Sequence, residues 1–92
     1  MQMIYNTEVF EVTDVNDFRR ALESLRAAMT SAGGTGLRLY RSVDDPTKVL
    51  VGMFWPDAET CRAFSVDHAA EIESILRPAL ISHQPEELWE EI

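Results

Sequence analysis

Ninety-two residues bound the chain to one domain, and a chain this short buries only about 60 to 65% of the surface its unfolded form exposes, so a second copy would add burial. Sixteen acidic against eight basic residues give a formal net charge of −8, which repels phosphate backbones and anionic lipid and argues against nucleic acid and membrane partners. The 46% apolar and 26% charged residues belong to a folded globular protein, and a lone Cys61 excludes an internal disulfide and a Cys-based structural zinc site.

The N-terminus, Met1-Gln2-Met3-Ile4-Tyr5, has no basic region, and the longest near-apolar run, Val49 to Trp55, is too short to span a bilayer. A cytoplasmic protein is expected. Ile4 to Val12 reads as a strand, with Ile4, Phe10 and Val12 on one face and Tyr5, Thr7 and Val9 on the other, so both faces should be covered. Thr13-Asp14 supplies an N-cap. Val15, Phe18, Leu22, Leu25 and Met29 then recur at helical steps, with Arg19, Arg20, Glu23 and Arg26 outside, which predicts one surface helix of about four turns.

Ala32-Gly33-Gly34-Thr35-Gly36 ends that helix, since glycine enters the left-handed C-cap conformation without steric cost. A strand is predicted from Leu37 to Val43, a turn at Asp44-Asp45-Pro46-Thr47, and a strand from Lys48 to Trp55. The latter is apolar on both faces, with Val49, Val51, Met53 and Trp55 opposite Leu50 and Phe54, and in an antiparallel hairpin it needs cover on both sides.

Pro56-Asp57 starts the second helical region, whose stripe is Ala58, Cys61 and Phe64. Ser65-Val66-Asp67 then restarts it with a fresh cap, placing His68 in a first helical turn, and Pro78 stops it near Arg77. The tail, Ile81 to Ile92, reads as a strand beginning after Pro85, with Leu88 and Ile92 opposite Trp89; its Glu86, Glu87, Glu90 and Glu91 also permit a helix. The order is strand, helix, strand, strand, helix, strand. It predicts a single α+β domain over residues 1–92, a ferredoxin-like βαββαβ fold with an antiparallel sheet and right-handed crossovers. Leu22, Leu25, Phe54 and Phe64 are expected in the core under the helices.

This order, with the turn Arg41-Ser42-Val43-Asp44-Asp45-Pro46, an apolar strand ending in an aromatic, and Asp57-Ala58-Glu59-Thr60-Cys61-Arg62-Ala63-Phe64, resembles the dimeric α+β barrel superfamily, in particular its antibiotic-biosynthesis-monooxygenase-like members. The resemblance runs from about Ile4 to Ile92 and rests on turns, caps and core positions, so it specifies fold more than activity. It implies a ferredoxin-like subunit whose sheet face packs on that of a second copy, with a small cavity between helices and sheet. The chemistry it implies ranges from cofactor-free oxygenation of phenolic polyketides, through haem degradation and lactone isomerisation, to plain ligand binding.

Haem degradation can be tested residue by residue. The resembling enzymes carry an asparagine on the first strand, a tryptophan in the second helix and a histidine ten residues on; here those positions hold Asn6, Phe64 and Ser74, so the iron ligand is missing and no haem site is expected. Cofactor-free oxygenation needs a base, donors to hold an anion and an apolar pocket. Asn6, Tyr40, Arg41, Trp55 and Trp89 are available donors, and His68, His83 and Glu8 available bases, but no spacing singles out a set.

Trp55 and Trp89 equally suit a core or a dimer interface, and Tyr40 an ordinary strand position. His68 in a first helical turn would be held neutral by the positive dipole end and could act as the base if it faced the cavity. Two isolated histidines without ligand spacing give no metal site, and Gly33-Gly34-Thr35-Gly36 follows a helix rather than a strand, the wrong polarity for a phosphate loop.

The expectation is therefore a homodimer binding a small, largely apolar organic molecule through Asn6, Tyr40, Arg41, Trp55 and Phe64. The alternative is a cofactor-independent monooxygenase acting on a phenolic or polyketide-type substrate, with His68 as base and no metal or flavin. A base in an enclosed cavity beside two donors would favour the enzyme; a collapsed core would favour a non-catalytic module.

Overall fold

Strand β1 (Ile4–Val12) occupies the middle of the sheet, because its apolar residues serve both faces and it must be paired along both edges. The computed structural model describes residues Met3 to Ile92. On one side β1 pairs antiparallel with β3 (Lys48–Trp55), in a continuous register from Ile4 opposite Trp55 to Glu11 opposite Lys48. The outer strand beyond β3 is β2 (Thr35–Arg41).

The other edge of β1 is shared by two short strands. In β4 (Leu80–His83), Leu80 lies opposite Val12 and His83 opposite Phe10; in β5 (Glu87–Glu90), Glu87 lies opposite Thr7 and Glu90 opposite Ile4. Between them the Gln84 amide still donates to the Val9 carbonyl at 2.9 Å. Pro85 has no amide to continue the ladder, so the chain leaves the sheet there and rejoins it at Glu87. The sheet is five-stranded and antiparallel in the order β2-β3-β1-β4 with β5 also on β1, the ferredoxin-like arrangement.

The helices lie on one face. Asp14 caps α1 (Val15–Glu23) by accepting from the Asp17 amide at 2.9 Å, and Asp57 caps α3 (Ala58–Asp67) by accepting from the Thr60 amide at 2.7 Å. The single long helix expected after Asp14 is instead two, α1 and α2 (Arg26–Ala32). The Ser24 hydroxyl bonds back to the Ala21 carbonyl at 2.6 Å and the Leu25 amide takes the tighter bond to Leu22, which turns the axis while keeping Leu25 buried. Gly33, with φ of +113°, ends α2 as anticipated.

Three further boundaries differ from expectation. Strand β2 stops at Arg41 because the Ser42 hydroxyl accepts from the amides of Asp44 and Asp45, each at 3.2 Å, and leaves Val43 fully in solvent. No fresh cap forms at Asp67: α3 runs through it, and His68 is the junction to α4 (Ala69–Leu76), without a side-chain cap bond. A 3-10 turn at Arg77–Ala79, containing Pro78, then leads into β4, a strand hidden ahead of Pro85.

The core lies between the sheet and the helices. Val12, Val49 and Trp55 from the strands meet Phe18, Leu25 and Cys61 from the helices, all at most 3% exposed. Leu22 and Phe64 join them as expected, but Phe54 does not: it is 43% exposed on the opposite face, because strand alternation groups it with Leu50. There it packs on Tyr5 at 4.6 Å between ring centroids. The Tyr5 ring lies over Gly52, where an added Cβ would stand 2.0 Å from the tyrosine oxygen. Tyr40, Leu50 and Trp89 leave the rest of this outer face apolar and exposed.

Leu25→Ala should remove about 2 to 5 kcal/mol of a total on the order of 5 to 10, because the side chain is 1% exposed at the α1–α2 break. Urea unfolding measures this directly, and an unchanged midpoint would contradict the packing of that break.

Candidate functional site

Alternation along β1 places Asn6 and Glu8 on the same face as Phe10 and Val12, so two polar side chains point toward the helices rather than away from them. They meet a cavity of about 80 Å³ between sheet and helices. Its floor is buried and apolar, formed by Phe10, Leu22, Leu25, Met29, Val51, Cys61, Phe64 and Leu76. Its mouth is half-buried and mostly polar, formed by Asn6, Glu8, Ser65, Ile72 and Glu86.

The mouth is organised around Glu86, which the break at Pro85 turns inward. Its Oε2 accepts from the Asn6 amide at 2.9 Å and from the Ser65 hydroxyl at 3.4 Å, while the same hydroxyl lies 3.3 Å from the Cys61 carbonyl oxygen. Glu8 Oε2 stands 3.0 Å from His83 Nδ1, with side-chain exposures of 23% and 57% respectively. The pair therefore runs from the cavity to solvent.

Burial raises the Glu8 carboxyl above its ordinary value; the nearby charge of Glu86 adds to the rise and His83 works against it. The Cys61 thiol is pushed up to about 12, chiefly by burial and then by Glu86. It is held protonated, which removes it as a nucleophile near neutral pH. Asn6 is a donor with a second amide hydrogen and Glu8 is a base, so the mouth can orient a polar group and accept a proton, over an apolar floor. An enclosed apolar cavity that takes benzene has about 150 Å³. At about 80 Å³ the space admits a short aliphatic group, and any larger ligand must extend outward through the mouth.

Of the residues singled out from sequence, the structure brings Asn6, Phe64 and Glu8 to this cavity. It does not bring the others. Trp55 is 3% exposed and packs behind Phe64, at 5.3 Å between ring centroids. Tyr40 and Arg41 border a shallow groove with Val9 and Leu50, since Tyr40 shares Leu50's side of the hairpin and Arg41 sits at the exposed strand end. His68 stacks on the far side of Phe64 at 4.4 Å and lies 4.0 Å from Glu71, beside Asp57, Thr60 and Asp67. Because α3 continues to Asp67, His68 both ends α3 and occupies the N-cap position of α4, one residue before its first turn, and it lies outside the cavity.

Sequence reading missed Ser65 and Glu86. The signal for Glu86 was Pro85, which forces a break in the edge strand and lets one residue of an acidic tail turn inward. Ser74, where haem-degrading enzymes carry their histidine, is exposed on α4. Among the described residues, no three His, Cys, Asp or Glu side chains are grouped to hold a metal ion, and no helix is long and apolar enough to cross a membrane.

No protein-family model matches the chain, and no curated protein matches it. Solved structures do. A provisionally named antibiotic biosynthesis monooxygenase from Bordetella bronchiseptica is 18% identical, with a TM-score of 0.80 over 100% of this chain and 97% of that one. SnoaB of Streptomyces nogalater, described as a cofactor-independent oxygenase, is 15% identical, with a TM-score of 0.79 over 97% and 92%. A protein from an uncultured marine organism, described as dimeric and ferredoxin-like, is 10% identical, with a TM-score of 0.67 over 100% and 90%. The chain thus has the ferredoxin-like fold of antibiotic-biosynthesis-monooxygenase-type proteins.

The raised Glu8 pKa sets a pH dependence. A carboxyl with a higher pKa in the folded state binds more protons there, so its contribution favours folding in acid and is lost as pH rises from about 4.5 through the raised value. Glu8→Gln lacks that loss. Its stability relative to the parent should improve between pH 4 and pH 7, read from urea unfolding at both; a pH-independent difference would contradict the burial of this carboxylate.

Proposed function

We propose that the chain acts in the cytoplasm as a homodimer joined through the outer sheet faces, each subunit binding a small, largely apolar organic molecule in the cavity behind Asn6, Glu8 and Glu86. The observation that carries the binding role is the division of the cavity into a buried apolar floor and a polar mouth, the usual composition of a small-molecule site. The dimer is supported by the exposed Tyr40, Leu50, Phe54 and Trp89, which a second sheet would cover, and by the marine neighbour described as dimeric.

A second reading, a cofactor-independent monooxygenase acting on a phenolic or polyketide-type substrate, is favoured by one observation. Glu8, a base with a raised pKa, faces the cavity beside the donor Asn6, on a fold shared with SnoaB. In that reaction the phenol gives its proton to Glu8 and its electrons to dioxygen; one oxygen atom enters the substrate and the other leaves as water. The negative Glu86 opposes the phenolate, and about 80 Å³ cannot enclose fused rings, so ligand binding is the reading the geometry favours.

The dimer should bury on the order of 800 Å² per partner. Light scattering at micromolar concentration should give twice the chain mass, and Phe54→Asp should halve it; a monomeric parent would defeat the assembly. For the catalytic reading, oxygen uptake by metal-stripped protein with small hydroquinones should fall at least about a hundredfold in Glu8→Gln. Turnover that survives this substitution would remove Glu8, and tight binding without uptake would leave the binding role alone.

A further inference from the structure

Resting on the cavity as a binding site, we propose that its ligand is a small primary amine bound as the ammonium ion, with the charge at the Glu8–Glu86 mouth and a short apolar body on the floor.

The cavity exists independently of its charge, as a gap over Met29, Val51 and Phe64. What distinguishes it is the polarity of the groups that border it. Both glutamates line it, and none of its lining residues is Lys or Arg. Each carboxylate spends one oxygen on the protein: Glu86 Oε2 takes the Asn6 and Ser65 bonds, and Glu8 Oε2 faces His83 Nδ1. Among the described residues the second oxygen of each accepts no bond, which leaves two acceptors at a half-buried mouth.

The groups surrounding that mouth settle the sign of the ligand. From β1 come Glu8 and neutral Asn6, from the β4–β5 break Glu86, from α3 Ser65 and the protonated Cys61, and from β4 His83, which is engaged with Glu8. Of the two carboxylates, Glu8 is the one whose ionisation is made costlier, by its own burial and by the nearby charge of Glu86. An ammonium seated between them relieves that repulsion and makes charge-assisted hydrogen bonds to the free oxygens. A carboxylate ligand would add a third negative charge, and a neutral alcohol would gain a donor bond without relieving the charge.

The test uses the full chain at pH 7 and three four-carbon probes suited to the cavity: n-butylammonium, 1-butanol and butyrate. Binding is read by NMR from the methyl groups of Met29 and Val51, which line the floor. Butylammonium should bind about tenfold more tightly than butanol, the margin of a charge-assisted over a neutral hydrogen bond, and butyrate should cause no shift. Glu86→Gln, and independently Glu8→Gln, should remove most of butylammonium's margin over butanol measured in the same variant.

Equal binding of butylammonium and butanol to the parent would overturn the amine assignment and leave the binding site standing. No methyl shift with any probe would overturn the site itself. A preference for the amine that persists when both glutamates are replaced would show it sitting elsewhere on the acidic surface, and would also overturn the assignment. The parent comparison holds even if one variant fails to fold.

Discussion

The antiparallel pairing of β1 with β3, from Ile4 opposite Trp55 to Glu11 opposite Lys48, is the constraint on which the rest of the structure depends. Side chains alternate with a period of two, so fixing this register fixes both faces at once. Phe10, Val12, Val51 and Trp55 go under the helices, and Tyr5, Leu50 and Phe54 go to the outside. A slip of β1 by one residue would bury Glu11 and expose Phe10 and Val12. The same alternation admits Asn6 and Glu8 to the helix side, so the polar mouth is a consequence of the register that builds the core.

The second constraint is the break opposite β1. A fourth strand running without interruption from Leu80 to Glu90 would seal the edge and keep its side chains in strict alternation. Pro85 interrupts the ladder between His83 and Glu87, and the freed residue, Glu86, closes on Asn6 and Ser65. Bringing carboxylates to the rim of an apolar cavity costs desolvation, which here remains moderate because the mouth is only half-buried and Glu86 accepts two hydrogen bonds. Places where a sequence carries charge against its own apolar pattern are where function is to be sought.

Much of this was legible in the chain. The caps at Asp14 and Asp57, the glycine stop after α2, and the two-faced apolar strand Lys48–Trp55 follow from local chemistry, and the fold follows from their order. The division of the first helix was not legible, because the apolar spacing continues through Leu25 while the bend comes from a serine bonding its own backbone. Strand β4 was hidden because its four residues, only partly apolar, carry too short a period to register. For the site, Asn6, Phe64 and Glu8 could be named, but the side of Phe64 on which His68 lies could not be read from spacing. Pro85 signalled a break in the edge strand, but which acidic residue after it turns inward depends on where the β4 and β5 registers against β1 leave a gap.

The central claim is that Glu8 and Glu86 share one half-buried cavity mouth. Carbon-detected NMR titration of the glutamate carboxyls tests it most directly, in the parent chain and in Glu86→Gln. The account predicts that Glu8 titrates above the ordinary value of 4.5 and moves down when the Glu86 charge is removed. A Glu8 that titrates as a solvent-exposed glutamate, indifferent to Glu86→Gln, would contradict it.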